Sequence, residues 1–353
     1  MLHAVPVPTL DNAMETRLDP LAIQKPYLIF VGDTETKPEV KTGIGVRDWA
    51  RDDCVAQWRL TPTAYDLGLA DLGPDAAYAR GARSLLIGVA PVGGDLPHTW
   101  VPFLLQALEA GLDLVSGLHA RLGANDALAS AALRLGRRLH DVRHADHPIP
   151  IATGKARSGK RLLTVGTDCA LGKKYTALAL AAALRARGIA ADFRATGQTG
   201  VMISGAGVAI DAVVADFISG AAEMLSPAAA PDHWDVIEGQ GALFHPAYAG
   251  VTLGLLHGSQ PDAMVLCHDL SRTTVNGYPD YPLPSLEEAM AAYLPLARRT
   301  NPRARFVAIS LDTSSMNADH AKESAREIEQ RLGLPVFDPM RFGIEAALDE
   351  MLA

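Results

Sequence analysis

Short runs of apolar residues alternate along the chain with longer segments in which apolar positions recur every three or four residues. The short runs predict buried strands, and the longer segments predict helices with one apolar face. In the first half the predicted strands are 27–31, 85–89, 113–116 and 140–144, and the predicted helices are 75–80, 102–110 and 125–139. In the second half the predicted strands are 162–165, 190–193, 234–237, 263–267 and 306–310, and the predicted helices are 176–186, 285–298, 318–332 and 343–352.

Strands that alternate with helices indicate an α/β protein with parallel sheets. A chain of 353 residues is too long for a typical single core. Residues 148–160 combine Pro, Gly and Lys with little apolar content, which is typical of a linker. We therefore predict two α/β domains, one over residues 1–150 and one over residues 151–353.

Residues 161–180 predict a strand, a small-residue loop and a helix in succession. The loop and the helix start are Gly166, Thr167, Asp168, Cys169, Ala170, Leu171, Gly172, Lys173, Lys174 and Tyr175. Unpaired backbone N–H groups, the helix dipole and a lysine meet where such a loop turns into its helix. We therefore predict that residues 166–172, called the phosphate loop below, bind a phosphate or pyrophosphate group.

The phosphate loop departs from the usual P-loop spacing. Five residues rather than four separate Gly166 from Gly172, and Lys174 stands where Ser or Thr would be a ligand of Mg²⁺. The pattern favours phosphate binding over hydrolysis of a magnesium nucleotide, and we expect no metal at this site. A P-loop after a central strand predicts a doubly wound parallel sheet for the second domain.

Further polar residues follow predicted strands, where the loops of a parallel sheet cluster at its carboxyl edge. Lys41 and Thr42 fall in a Gly-bearing loop after the first strand, which suits either anion binding or a solvated surface. The segment 194–200 predicts a tight polar loop. Candidate substrate-binding residues are Lys41, Thr42, Gln198, Thr199, Gly200, Gln240 and His245.

Three residues are candidates for the catalytic base. Glu238 follows a buried strand and precedes two glycines, so it stands at the carboxyl edge beside the phosphate loop. Asp211 is the second candidate, although capping or a plain surface charge accounts for it equally well. His257 is the third candidate.

Composition excludes several classes of protein. A net charge of −8 without a Lys/Arg cluster argues against nucleic-acid binding, and no stretch is long and apolar enough for a membrane span. Three widely separated cysteines, Cys54, Cys169 and Cys267, indicate reduced thiols. The amino terminus carries acids and prolines instead of a signal sequence. We expect a cytoplasmic protein.

Several long segments resemble the DgcN-type D-glutamate N-acetyltransferases, long filed as proteins of unknown function. The matching segments are Val-Gly-Thr-Asp-Cys-Ala-Leu-Gly-Lys (165–173), Ala-Thr-Gly-Gln-Thr-Gly-Val-Met-Ile (195–203), 209–217, Ile-Glu-Gly-Gln-Gly (237–241), Phe-His-Pro (244–246) and 254–262. The resemblance covers most of the chain and is strongest from 160 to 285. It is consistent with a Rossmann-like first domain followed by a P-loop domain.

The resemblance implies transfer of an acetyl group from acetyl-CoA to the amino group of D-glutamate. Lys173 and Lys174 suit the phosphates of acetyl-CoA, which need cations and donors but not necessarily Mg²⁺. The amine needs a base, for which Glu238, Asp211 and His257 are the candidates. Backbone groups around 198–200 are candidate donors to the thioester oxygen. Lys41, Arg194 and Arg272 are open candidates for binding the substrate carboxylates.

Two other functions remain open. The loop is also similar to that of dethiobiotin synthetase and its relatives, which bind ATP and carry Thr where this chain has Lys174. A ligase or kinase using Mg-ATP on a small carboxylate or amine would hold Mg²⁺ through Thr176, Asp168 or Glu238. A nucleotide- or CoA-sensing protein without catalysis is the third possibility. For an enzyme of this kind we expect a homo-oligomer.

Overall fold

The computed structural model describes residues 22–91, 93–145 and 148–353. The first half contains β1 (Tyr27–Gly32), α1 (Lys41–Trp49), β2 (Cys54–Arg59), α2 (Pro74–Ala79), β3 (Ser84–Ile87), α3 (Val101–Glu109), β4 (Asp113–Ser116), α4 (Asp126–Leu135) and β5 (Leu139–Asp141). The second half begins with β6 (Lys160–Gly166), α5 (Lys173–Ala186), β7 (Ala191–Arg194), α6 (Gln198–Ser204), α7 (Ile218–Leu225) and β8 (Trp234–Ile237). It continues with α8 (Ala249–Ser259), β9 (Ala263–Asp269), β10 (Thr274–Val275), β11 (Tyr278–Pro282), α9 (Leu286–Arg298), β12 (Arg305–Asp312), α10 (Ala318–Leu332), β13 (Val336–Phe337) and α11 (Ile344–Leu352).

The first sheet is parallel and has the strand order β2-β1-β3-β4-β5. Strand β1 is buried along its whole length, as expected for an inner strand of a sheet covered on both faces. The chain leaves β1 toward β2 on one side and later returns to β3 on the other. Helix α1 therefore begins at the crevice where the strand order reverses, which is where open α/β sheets bind ligands.

The second sheet is also parallel, with the order β13-β12-β9-β6-β8-β7. Helices α5 and α11 cover one face, and α7, α8 and α9 cover the other. The sheet is thus doubly wound, as predicted. Strand β6 lies between β8 and β9, so the phosphate loop at its carboxyl end has a strand end on each side.

Two segments predicted as loops are helices. Lys41 and Thr42 begin α1, and residues 198–200 form the first turn of α6. Glycine disfavours helix interiors, which is why the sequence pattern indicated loops. In the structure Gly43 lies so close to β3 that a Cβ atom there would be 3.2 Å from the carbonyl oxygen of Gly88. These helices keep their glycines because neighbouring groups approach closely.

The two halves of the chain share packing around α6. Val201 and Met202 of α6 are buried in the core of the first sheet. Tyr27 Oη donates a hydrogen bond to the Met202 carbonyl oxygen over 3.1 Å. The Arg143 guanidinium forms an ion pair with Asp211 across the same boundary. The division at residue 150 therefore stays a prediction, since a helix from beyond it completes the first core.

No helix among the described residues combines the length and the apolar character that a membrane crossing requires.

Helix α9 begins with a capping box formed by Ser285 and Glu288. The Glu288 N–H donates to Ser285 Oγ over 3.1 Å, and the Ser285 N–H donates to Glu288 Oε2 over 2.8 Å. Replacing Ser285 by alanine removes the first of these bonds, so we expect the free energy of unfolding to fall by about 1 kcal/mol in urea titrations. Ser315→Ala, at an exposed serine outside any helix, is the control. Equal stability of the two variants would contradict the capping role.

Candidate functional site

The phosphate loop curves around the side chain of Lys173. Ala170 and Gly172 have φ values of 53° and 87°, which turn the backbone ahead of α5. Lys173 Nζ donates a hydrogen bond to the Asp168 carbonyl oxygen over 2.7 Å. A Cβ atom at Gly166 would lie 3.2 Å from the same nitrogen, so the ammonium lies inside the loop. Burial lowers the pKa of Lys173, and a bound anion would favour its charged form.

The carboxylate of Asp168 stabilises the conformation of the phosphate loop. Its Oδ1 accepts the Cys169 N–H over 2.6 Å, and its Oδ2 accepts Arg272 Nη1 over 3.0 Å and the Asn276 N–H over 2.8 Å. The Arg272 guanidinium also donates to the carbonyl oxygens of Cys169 and Ala170. Arg272 therefore braces the loop, and this corrects the expectation that it binds a substrate carboxylate.

Arg194 is likewise committed to its own sheet. Its Nε donates to Asp235 Oδ1 over 2.7 Å, and its Nη2 donates to Asp192 over 3.2 Å. Its candidate role toward a substrate carboxylate stays a prediction, although two of its guanidinium nitrogens already bind acids of the sheet.

A glycine brings the end of β8 against the end of β6. A Cβ atom at Gly239 would lie 1.7 Å from the Thr164 carbonyl oxygen, so no larger residue fits there. The Gly239 N–H donates to Thr164 Oγ1 over 2.9 Å. Glu238 is consequently fixed beside the start of α5.

Glu238 is a buried carboxylate with a strongly shifted pKa. It is 4% exposed, and its Oε2 accepts the N–H groups of Thr196 and Gly197 over 3.1 and 3.2 Å. Burial raises its pKa to about 7, against the opposing effects of Lys174 and the two N–H donors. A carboxylate with this pKa accepts a proton near neutral pH and releases it again.

Lys174 faces the first half of the chain. A Cβ atom at Gly45 of α1 would lie 2.7 Å from Lys174 Nζ, and 2.8 Å from Thr199 Cγ2. Thr199 Oγ1 donates to Thr42 Oγ1 over 3.3 Å. Burial lowers the pKa of Lys174 to about 8, and the charge of Lys41 acts in the same direction. Helix α1 therefore lies against the start of α5, and both halves of the chain form the candidate site.

Other side chains tie the same helices together. Tyr175 Oη donates to Asp48 Oδ2 over 2.7 Å. A Cβ atom at Gly117, after β4, would lie 2.8 Å from Gln198 Cβ, and one at Gly197 would lie 2.5 Å from Gln240 Nε2. The structure thus brings together predicted residues from separate segments of the chain: Lys41, Thr42, Lys173, Lys174, Tyr175, Gln198, Thr199, Gly200, Glu238 and Gln240.

His257 is not part of this site. It lies near the end of α8, only a few residues before β9 begins, and therefore at the amino edge of the sheet. Arg157 precedes β6 and therefore also lies at the amino edge. It donates to the carbonyl oxygen of Gly258, the neighbour of His257, which confirms that His257 lies at this edge. The phosphate loop is at the carboxyl edge. The prediction of His257 as a candidate base is therefore corrected by its position.

Asp211 lies near Glu238, whose pKa its charge raises, but it is paired with Arg143. The Arg143 side chain is buried and also donates to the Gly117 carbonyl oxygen over 2.9 Å. This ion pair positions the segment before α7 against the first sheet. Asp211 is thus paired with a buried arginine, whereas Oε1 of Glu238 has no hydrogen bond to any described residue.

His245 is a buried side chain next to the phosphate loop. It is 2% exposed, and its Nδ1 accepts the Ala247 N–H over 3.1 Å, which leaves the proton of the neutral ring on Nε2. A ring nitrogen of His245, Cys169 Sγ and an Asp168 carboxylate oxygen lie within 4.8 Å of one another. This spacing alone would suit a metal ion.

The chemistry of these three groups does not suit a metal. Metal-bound histidines use one ring nitrogen as ligand and donate the other N–H, whereas Nδ1 of His245 accepts a hydrogen bond. Both carboxylate oxygens of Asp168 are already bonded to N–H donors. Burial raises the pKa of the Cys169 thiol and so disfavours its thiolate. These contacts disfavour a metal ion at the three groups.

Two of the candidate magnesium ligands are similarly occupied. Thr176 Oγ1 is buried and bonded to Ser310 Oγ over 2.7 Å, so it points into the sheet. Asp168 is taken by Arg272. Of the three candidate magnesium ligands, Thr176 and Asp168 are thus bonded to other residues, whereas Oε1 of Glu238 has no hydrogen bond to a described residue.

The hairpin of β10 and β11, which supplies the Asn276 N–H to Asp168, is absent from the elements predicted from the sequence. A signal was present, because Asn276-Gly277 between short apolar segments is typical of a two-residue hairpin turn. Gly277 has a φ of 80°, as such a turn requires.

Two family models match the chain. One is described as a domain of unknown function (DUF1611_N), a Rossmann-like domain, and covers residues 64–145. The other is described as a domain of unknown function (DUF1611_C), a P-loop domain, and covers residues 150–348.

The chain is similar over nearly its whole length to proteins from three organisms. A protein of Tritonibacter scottomollicae named D-glutamate N-acetyltransferase is 49% identical over 94% of this chain and 99% of that protein. A protein of the same name from a Pseudoalteromonas species is 45% identical over 92% and 98%. A crystal structure of a DUF1611 family protein from Anabaena variabilis superposes with a TM-score of 0.84 at 34% identity, over 93% and 99%.

Proposed function

The chain belongs to the DUF1611 family, and from this premise we propose that it is a D-glutamate N-acetyltransferase that uses acetyl-CoA as its acetyl donor. The observation that carries the proposal is a buried carboxylate, Glu238, whose pKa of about 7 suits a general base, beside a loop built for phosphate. The names of the related proteins supply the reaction and the acceptor.

We propose that the phosphate loop and the two lysines bind the phosphates of acetyl-CoA. The buried Lys173 ammonium lies inside the loop, and Lys174 adds a second cation where an Mg²⁺-dependent site would carry a hydroxyl. Charge-assisted hydrogen bonds to phosphate do not need a metal. His245, a ring nitrogen of which lies within 4.8 Å of Cys169 Sγ and an Asp168 carboxylate oxygen, is a further candidate donor through its Nε2–H.

Glu238 is the proposed base in the transfer step. The D-glutamate amine attacks the thioester carbonyl carbon, the C–S bond breaks, and coenzyme A leaves as its thiolate. The carboxylate accepts the proton that the amine gives up. Because two backbone N–H groups fix Oε2, the unbonded Oε1 is the oxygen available to the amine.

We propose that the acceptor, D-glutamate, binds where the first turns of α1, α5 and α6 meet. Lys41 is exposed at the start of α1 and adds positive charge for the substrate carboxylates. Thr42, Gln198, Thr199, Gly200 and Gln240 are the proposed neighbours of the substrate.

The direct test is coenzyme A release by the purified protein, followed with a thiol reagent. We expect release to require both acetyl-CoA and D-glutamate, and to be unchanged when Mg²⁺ is replaced by a chelator. Turnover of ATP that needs Mg²⁺, without coenzyme A release, would contradict the transferase and favour the ligase or kinase. Tight binding of acetyl-CoA without turnover of any amino acid would favour a sensor.

The pH dependence of kcat/KM tests the two shifted groups. Glu238 must be ionised, so activity should rise with pH through about 7. Lys174 must be charged, so activity should fall as pH rises through about 8. In Lys174→Arg the cation stays charged, and the fall near 8 should disappear while the rise near 7 remains. A profile without a limb near 7 would contradict the role of Glu238.

A further inference from the structure

Four aromatic side chains form a continuous cluster on the surface of the second half. His245 stacks on Tyr248, with ring centroids 4.5 Å apart and an angle of 29° between the rings. Tyr278 meets His245 edge-on at 5.1 Å, and Tyr281 meets Tyr278 edge-on at 5.9 Å. We call His245, Tyr248, Tyr278 and Tyr281 the aromatic cluster.

The aromatic cluster begins at the phosphate loop. A ring nitrogen of His245 lies within 4.8 Å of both Cys169 Sγ and the Asp168 carboxylate. The hairpin that carries Tyr278 and Tyr281 donates the Asn276 N–H to Asp168 over 2.8 Å. The loop and the cluster are therefore held in a fixed relation to each other.

The outer rings of the cluster are open to solvent. Tyr248 and Tyr281 are each 51% exposed, whereas His245 beneath them is 2% exposed. Phe244, 37% exposed, lies next to His245 in the chain. Solvent-facing aromatic rings that continue from an anion-binding loop can stack on a flat, weakly polar ligand ring.

The hairpin also borders a cavity that is large enough to hold part of a ligand. A cavity of about 340 Å³ is lined by Arg272, Asn276 and Tyr278, with neighbouring residues of the hairpin. Its wall thus combines the loop's bracing arginine with an aromatic ring.

Glu238 and the hairpin with Tyr278 and Tyr281 reach the phosphate loop from different flanks. Strand β8 lies on one side of β6 and ends at Glu238, whereas β9 lies on the other side and leads into the hairpin. A bound molecule whose phosphates sit on the loop can thus point its reacting end toward Glu238 and its other end toward Tyr278 and Tyr281.

We propose that the aromatic cluster binds the adenine ring of an adenine nucleotide whose phosphates lie on the phosphate loop. This inference rests on the proposed function, under which the nucleotide is the adenosine part of acetyl-CoA. Adenine offers a large π-face for stacking on tyrosine, and its phosphates supply the negative charge that the loop and its lysines need.

Replacing an exposed ring should weaken the use of acetyl-CoA but not of a donor without a nucleotide. For Tyr281→Ala and Tyr248→Ala we expect KM for acetyl-CoA to rise about tenfold, while KM for S-acetylpantetheine and for D-glutamate stays unchanged. Tyr281→Phe keeps the stacking ring and should keep the KM of the wild type.

Tyr78→Ala is the matched control. Tyr78 is also exposed, at 42%, but it lies in α2 and packs beside Arg83 and Gly111, which precede β3 and β4 at the amino edge of the first sheet. It should leave every KM unchanged. Thermal unfolding of all variants shows whether a raised KM reflects lost structure.

The outcomes separate this inference from the proposed function. An unchanged KM for acetyl-CoA, an equal rise for both donors, or a rise in KM for D-glutamate would overturn the adenine site while leaving the transferase standing. Calorimetry could instead show that the wild type binds ATP and not coenzyme A, which would contradict acetyl-CoA as the donor. Weaker ATP binding by Tyr281→Ala would then still support the adenine site. Binding of neither nucleotide would overturn both proposals.

Discussion

Replacing Glu238 by glutamine is expected to lower kcat for acetyl transfer by about 10²- to 10⁴-fold, the range typical of a lost general base. Glutamine keeps the size of the side chain, and its carbonyl oxygen can still accept the N–H groups of Thr196 and Gly197. It cannot take a proton from the amine. The KM values for both substrates should therefore change little, and the rise of activity near pH 7 should vanish.

Asp211→Asn is the comparison that makes this prediction specific. Asp211 was the second candidate base, and the structure pairs it with Arg143 across the boundary between the two sheets. We expect its loss to lower activity much less and to leave the limb of the pH profile near 7 in place. Residual activity near the wild-type level in Glu238→Gln, with near-complete loss in Asp211→Asn, would move the base to Asp211.

Replacing Lys173 by methionine is expected to weaken coenzyme A binding by about 10- to 100-fold, as measured by calorimetry and by KM for acetyl-CoA. Methionine fills much of the same space but removes the ammonium that lies inside the phosphate loop. The phosphates would then meet only backbone N–H groups and Lys174. Removal of Mg²⁺ with a chelator should change the affinity for coenzyme A in neither the wild type nor the variant.

Lys160→Met serves as the control for charge. Lys160 begins the same strand, β6, at the edge opposite the phosphate loop, and its ammonium lies over the Trp234 ring. Its replacement changes the net charge of the protein equally but should leave coenzyme A binding unchanged. Wild-type affinity in Lys173→Met would show that the phosphates bind elsewhere.

Local sequence signals were sufficient for part of the regular elements, although β2, α7, α8 and β13 were not among the predicted ones. Helix α10 spans Ala318–Leu332, as its apolar period predicts, and α9 starts at the capping box of Ser285 and Glu288. The strands around the phosphate loop follow from short apolar runs. These elements were predictable because periodicity and capping depend on residues only a few positions apart.

Helices α1 and α6 were predicted wrongly as loops. Their glycines disfavour helix in isolation, yet each glycine admits a group from elsewhere in the fold. A Cβ atom at Gly45 would lie 2.7 Å from Lys174 Nζ, and one at Gly200 would lie 2.4 Å from Glu238 Oε2. Close packing against distant residues therefore stabilises helices that local propensity does not favour.

The sequence by itself determined the α/β class, the phosphate loop, the lysine in place of a magnesium ligand, and the acid at the end of β8. Only the tertiary structure decided what these residues can do. In the fold, Asp168 pairs with Arg272, which lies 104 positions away in the chain. His257 lies at the amino edge of the second sheet, opposite the phosphate loop, and burial raises the pKa of Glu238. The physical reason is that burial, charge and hydrogen bonding act through space, between groups whose distance along the chain carries no information about their contact.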